Sequence, residues 1–215
     1  MKRLILSLVA ILAISHFVFA QDKEEEKDKG FKKENLFTGG SVTVSFFNGS
    51  TILGASPVFG YQLAKWVDAG IVLNYTYASQ RDVQEFDDKL KQYTYGGGAF
   101  MRLYPVRFLF LQGQFEHNFT KQKYTPASVF YQPFKETVEA NSFLVGGGYT
   151  QGREPGSNTF YYVSVLFDVI KDENSPYVNL VYNPNTGTYS VRAVPIIRAG
   201  INIGLFQGGG NRRRR

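Results

Sequence analysis

The sequence predicts an all-β protein, an eight-stranded antiparallel transmembrane β-barrel with up-and-down meander connectivity. Three observations carry that prediction. In the segment 190–206, SVRAVPIIRAGINIGLF, Val191, Ala193, Pro195, Ile197, Ala199, Ile201, Ile203 and Leu205 form an uncharged face. Arg192, Val194, Ile196, Arg198, Gly200, Asn202, Gly204 and Phe206 form the opposite one. A period of two marks a strand whose faces meet different surroundings, and a run of roughly 16 residues suits a tilted membrane crossing better than the ~5 to 6 usual in soluble strands. Second, beyond residue 20 no window holds the ~18 apolar residues a membrane helix needs, and a closed barrel is the other structure that satisfies its backbone in hydrocarbon. Third, seven earlier ribbons alternate in the same way and are joined by short and long links in turn.

The first strand, 37–47, sets Val42, Val44 and Phe46 against Ser41, Thr43 and Ser45, and Asn48-Gly49-Ser50 reads as a tight turn. In the second, 52–63, Leu53, Ala55, Pro57, Phe59, Tyr61 and Leu63 face out, while Gly54, Ser56, Val58 and Gly60 face in. Pro57 and Pro195 each remove a ladder donor, so each is expected at a bulge or kink. Strand three, 69–79, turns Ile71, Leu73, Tyr75 and Tyr77 outward, with the link 64–68 before it and the charged loop 80–91 after it. Strand four, 92–104, has Tyr93, Tyr95, Ala99, Met101 and Leu103 opposite Thr94, Gly96, Gly98 and Arg102. Strand five, 107–119, sets Leu109, Leu111, Phe115 and Phe119 against Gln112, Gln114, Glu116 and Asn118. Strands six, 136–149, and seven, 159–170, follow the loop 120–135 and the turn 151–158, and the connection 171–189 carries a candidate hairpin around Tyr177–Tyr182. The short links 64–68, 105–106 and 150–158 belong at the periplasmic end with both termini and the long links 80–91, 120–135 and 171–189 outside, where the first outer link, 48–51, is a short exception.

The leader MKRLILSLVAILAISHFVFA has a basic start, an apolar core and a small-residue end at Ala20, the pattern of a cleaved signal peptide over 1–20. Residues 21–35 form a charged periplasmic lead-in, 36–206 the outer-membrane barrel, and 207–215 a Gly/Arg-rich periplasmic tail. Cysteine is absent and the mature segment has one histidine, His117, which argues against zinc, haem or thiol chemistry. No cofactor is expected. The net charge of +6 owes much to Arg212, Arg213, Arg214 and Arg215, and reads as a handle for anionic envelope polymers or a partner protein, with no nucleic-acid role.

The stretches ASPVFGYQLAKWVDAGI (55–71), YTYGGGAFMRLYP (93–105), FLVGGGYTQG (143–152) and RAGINIGLF (198–206) resemble the small porin-like outer-membrane β-barrel family common in Bacteroidetes. That resemblance implies architecture and location, with lipid, lipopolysaccharide and the barrel-assembly machinery as partners, and implies little about activity. Arg198, Gly200, Ile203, Leu205 and Phe206 resemble the C-terminal insertion signal of such barrels.

Five charges fall on inward faces: Arg102, Glu116, Asp168, Arg192 and Arg198. An eight-stranded barrel is just wide enough for side chains to fill, so these are expected to form an ion-pair network plugging the lumen. The first reading is therefore a non-enzymatic structural or interaction barrel acting through its outer loops. The alternative is a narrow porin-like channel for small solutes or ions, and the third a lipid A modifying enzyme using His117, although strand five offers that histidine no adjacent serine.

Overall fold

A computed structural model of the chain describes residues 30–47, 50–183 and 187–207. The expected signal peptide, most of the charged lead-in, the Asn48-Gly49 turn, the hairpin tip at 184–186 and the arginine tail lie outside the described residues. The chain divides into two compact units, Met1–Lys32 and Lys33–Arg215; only residues 30–32 of the first are described.

The second unit is a closed barrel. Its wall is built from β1 (Leu36–Phe47), β2 (Ser50–Ala64), β3 (Val67–Arg81), β4 (Lys89–Val106), β5 (Leu109–Thr125), β6 (Phe134–Gln151) and β7 (Phe160–Asp168). After a separate hairpin of β8 (Val178–Asn183) and β9 (Thr188–Ala193), the wall is completed by β10 (Ile196–Gly204). Neighbours in the ring pair antiparallel, and β10 closes onto β1 with Gly40 opposite Ile201. Where all eight strands overlap, the ring has no free edge and its backbone donors and acceptors are paired along the ladder; the first part of β6, residues 134–143, extends beyond the ladder it shares with β7. The described residues contain one short 3-10 turn, Lys33–Asn35, and no α-helix.

Side-chain polarity is inverted relative to a water-soluble sandwich. β7 alternates strictly: Phe160, Tyr162, Ser164, Leu166 and Asp168 are buried, while Tyr161, Val163, Val165 and Phe167 are exposed. One register row around the wall reads Phe59, Ile71, Ala99, Phe115 and Phe143, all outward and all exposed. Arg102, Gln112, Gln114, Glu116, Asn118 and Asn202 are buried on the inside. Such a band of exposed large apolar side chains around a polar interior fits hydrocarbon outside.

Inward glycines make room for inward rings. A methyl group built on Gly60 would overlap the Phe37 ring, and one on Gly148 the Phe110 ring. At Gly146 a methyl would drive into the Val165 carbonyl of the adjacent strand, so the β6–β7 approach requires glycine there.

Three expectations are corrected. The ribbon 190–206 is not one strand. It breaks at Val194-Pro195, where proline has no amide to donate; the first part becomes β9, paired with β8, and only β10 joins the barrel. Arg192 therefore leaves the predicted lumen set and is exposed on the hairpin, opposite Asn179. Pro57 causes no bulge: the β2–β3 ladder skips Ser56 and Pro57 and resumes in the same register, and the irregularity lies between Gln62 and Ala64. The loops 80–91 and 120–135 are shorter than expected, spanning 82–88 and 126–133, because their polar flanks continue as strand. β4, β5 and β6 are 18, 17 and 18 residues long against 9 for β7 and β10, so the wall is tall on one side.

Candidate functional site

Alternation on β5 puts Gln112, Gln114, Glu116 and Asn118 in one inward file. Gln112 Nε2 donates to Gln114 Oε1 (2.6 Å), Gln114 Nε2 to Glu116 Oε1, and Asn118 Nδ2 to Glu116 Oε2 (3.0 Å). Each amide passes its carbonyl back to the previous donor, so the file is polarised toward the carboxylate. Arg198 Nη2, from β10 across the lumen, reaches Glu116 Oε1 at 3.1 Å. The Tyr177 hydroxyl, at the foot of the β8–β9 hairpin, donates to Glu116 Oε2 at 2.7 Å. One fully buried carboxylate thus takes a guanidinium, a phenol and two amides, which is how a charge is held away from water.

The other predicted lumen residues are placed differently. Among the described residues Arg102 meets no carboxylate at ion-pair distance. Its Nε donates to Gln112 Oε1 (2.8 Å) and its Nη1 to Asn202 Oδ1 (3.3 Å), while its guanidinium carbon sits 4.9, 5.3 and 4.5 Å from the ring centres of Phe100, Phe110 and Tyr162. This is a cation in an aromatic cage. Asp168 ends β7 as a turn anchor: Oδ1 accepts from the Phe143 and Ile170 amides (3.2 and 3.1 Å), and Oδ2 from the Ser175 hydroxyl (2.7 Å). The structure brings together Arg198 and Glu116, and links Arg102 to them through the glutamines; Asp168 and Arg192 stand apart.

Loop residues close on the lumen from both ends. At the short-link end Arg153, from the 152–159 link, lies 3.7 Å from the Tyr104 ring centre and 3.9 Å from Asp68 Oδ1, and donates to the Lys65 carbonyl (3.0 Å). At the other end Ser175 and Tyr177 fold back from the β7–β10 connection. Between them, a cavity lined by residues including Ser41, Val72, Arg102, Gln114, Tyr162 and Arg198 measures about 10 Å³, the space of a single water molecule.

Asp68, Arg153 and Tyr177 were not singled out from the sequence. Asp68 has the inward parity of Val72 and Asn74, but its place just after the Lys65-Trp66 turn gives it the character of a link residue in the sequence. Arg153 and Tyr177 sit in connections, where no period applies.

At the long-loop end, two links are tied together. The Asp88 carboxylate accepts from the amides of Val83 (2.7 Å), Gln84 (2.8 Å) and Glu85 (3.0 Å) and from the Tyr124 hydroxyl (2.8 Å). Burial alone would raise this acid; the four donors outweigh it and bring it down from 3.8 to about 2. Glu85 in turn accepts from the Ala127 and Ser128 amides (2.7 and 2.9 Å) and the Ser128 hydroxyl (2.5 Å), and the Ser128 hydroxyl, ahead of the two amides, holds its acid below the usual range. The brace presents Phe86, Val129 and Phe130, which are 88, 90 and 89% exposed. His117 faces outward, bonded through Nδ1 to Asn141 Oδ1 (2.8 Å) and lying 3.8 Å from Glu139.

No family model matches this chain, and no curated protein matches it. Among solved structures, the Yersinia pestis outer membrane protein Ail in a phospholipid nanodisc is similar at 12% identity, covering 79% of this chain and 98% of its own, with a TM-score of 0.40. The beta domain of the Bordetella autotransporter BrkA gives 11% identity, 79% and 97% coverage and 0.40. The N-terminal β-barrel domain of Pseudomonas aeruginosa OprF gives 15%, 80% and 96%, and 0.35. At such distances these likenesses carry no functional weight, and the barrel stands on its own strand ladder.

Proposed function

We propose that the mature chain is an outer-membrane β-barrel with a plugged lumen, a non-enzymatic structural or interaction protein that engages partners through its braced loops. The observation that carries this reading is the pairing of an apolar outer wall with a lumen occupied by the buried Arg102 and Glu116 side-chain networks, beside which lies a cavity of about 10 Å³. Arg153, the Arg102 cage and the Glu116 knot stand one after another along the lumen, which supports a plug, and His117 is bonded to Asn141 and lies near Glu139. The exposed aromatic tips at Phe86 and Phe130, held by Glu85, supply rigid apolar contacts of the kind that dominate interfaces.

Insertion through the barrel-assembly machinery, with Arg198, Gly200, Ile203, Leu205 and Phe206 as the signal, belongs to the same proposal. In the folded chain β10 ends at Gly204, and Phe206 lies past it, 66% exposed with φ 59°.

The purified protein in planar bilayers is expected to give no sustained conductance. Steady channel openings would overturn the plug and favour the narrow porin. Cross-linking in the native outer membrane tests the loops: Phe86→Ala with Phe130→Ala is expected to lose the captured partner, and an unchanged capture would remove the loops from the proposal.

A further inference from the structure

Beyond the apolar band, the outward faces of β3 to β6 continue past the barrel's short side. Their register rows can be read upward. Tyr75, Tyr95, Phe119 and Glu139 form one row; Tyr77, Tyr93, Lys121 and Thr137 the next; Ser79, Lys91, Lys123 and Lys135 the third; Arg81, Lys89 and Thr125 the fourth. Two aromatic-rich rows are therefore followed, two residues or ~7 Å further along the strands, by a row of lysines on three adjacent strands ~4.8 Å apart.

Like charges directly opposite one another repel, and nothing on this face compensates them. The one acidic residue of outward parity in these strands is Glu139, two rows lower and beside His117. Lys91, Lys123 and Lys135 have no ion-pair partner among the described residues, and Arg81 and Lys89 add two cations directly above. Lys121, one row down, lies with Nζ 5.3 Å from the Tyr95 ring centre, its charge at the upper margin of the aromatic belt. Tyrosines of this kind sit at the headgroup level of a bilayer, so the lysine row stands where lipid phosphates lie.

We infer that Lys91, Lys123 and Lys135 form a binding site for the phosphate groups of an outer-leaflet glycolipid, docked against the tall side of the barrel. Three point charges spaced along a sheet suit a ligand carrying more than one phosphate, and the apolar wall directly below accepts its acyl chains. This rests on the membrane reading given above and deepens it, assigning the expected lipid contact to three named residues and to the phosphate groups.

The test uses the folded protein in detergent, mixed with diphosphorylated lipid A and examined by native mass spectrometry. The wild type is expected to retain the lipid, and the variant Lys91→Gln, Lys123→Gln, Lys135→Gln to bind it at least tenfold more weakly. A variant of equal charge change at the opposite end, Lys33→Gln, Lys65→Gln, Arg107→Gln, should bind as the wild type does. Equal retention by the wild type and the lysine-row variant, or equal retention of dephosphorylated lipid A, would overturn the site. Displacement by a tenfold excess of inorganic phosphate would make it a free-phosphate site and equally overturn the lipid assignment. Protease protection of the same protein in phospholipid vesicles separates the layers. A chain that inserts but fails the lipid test loses only this inference; one that stays fully cleavable loses the membrane reading beneath it.

Discussion

Glu116 is where three distant parts of the chain meet: its own strand, β10 through Arg198, and the hairpin foot through Tyr177. A buried pair is weak evidence for stability, but breaking one side leaves an uncompensated ion. Arg198→Ala is expected to cost about 3 to 5 kcal/mol in urea unfolding from lipid vesicles, with much of the loss recovered when Glu116→Gln is added. A cost below 1 kcal/mol would mean that the amide file, rather than the guanidinium, holds the carboxylate. Sequence alternation was sufficient to turn Arg102, Glu116, Asp168 and Arg198 inward, because a period of two fixes the face of a strand residue. It could not choose their partners. Whether an inward arginine meets a carboxylate or an aromatic cage depends on strand stagger around the ring, which no single strand encodes.

At the scale of elements, the two braced loops behave as one unit because acids at their bases replace missing strand partners. The Asp88 carboxyl is held at about 2 in the fold, below its ordinary 3.8. A depressed acid contributes stability that is complete above pH ~4 and is lost as pH falls through the folded value. The amides of Val83, Gln84 and Glu85 are therefore expected to keep their hydrogen-bonded proton shifts at pH 5 and lose them toward pH 2, followed by NMR in detergent micelles. Asp88→Asn should show the change already at pH 7. Loops of this sort are poorly legible in sequence: the residues 82–88 look merely charged, and the fact that Glu85 and Asp88 point back to backbone amides appears only once the strands fix the loop ends. The same limit applies to the final ribbon. Alternation runs unbroken through 190–206, but Pro195 lacks the amide that would carry the ladder across.

For the whole molecule, the decisive property is which solvent its outer wall requires. Ile71 is 56% exposed in the outward row that runs from Phe59 to Phe143. In water an arginine there would be nearly neutral; facing hydrocarbon at mid-depth it should cost about 2 to 4 kcal/mol. Ile71→Arg is thus expected to destabilise the protein by that amount in lipid vesicles, and an unchanged unfolding midpoint would speak against a membrane wall. This global trait was the most legible of all, since it is the sum of eight local alternations, whereas strand heights depend on where polar flanks such as Lys121 to Thr125 stop pairing. The Pro195 break also divides the protein thermally. Because no ladder bond crosses that residue, unzipping that begins in β8–β9 is not handed along the backbone to β10 and reaches it through the Tyr177–Glu116–Arg198 side chains instead, so proline acts as a firebreak in the ladder. Hairpin amides such as Val191 should then exchange with deuterium many times faster than Ile201, and matched rates would show that the two sheets melt together.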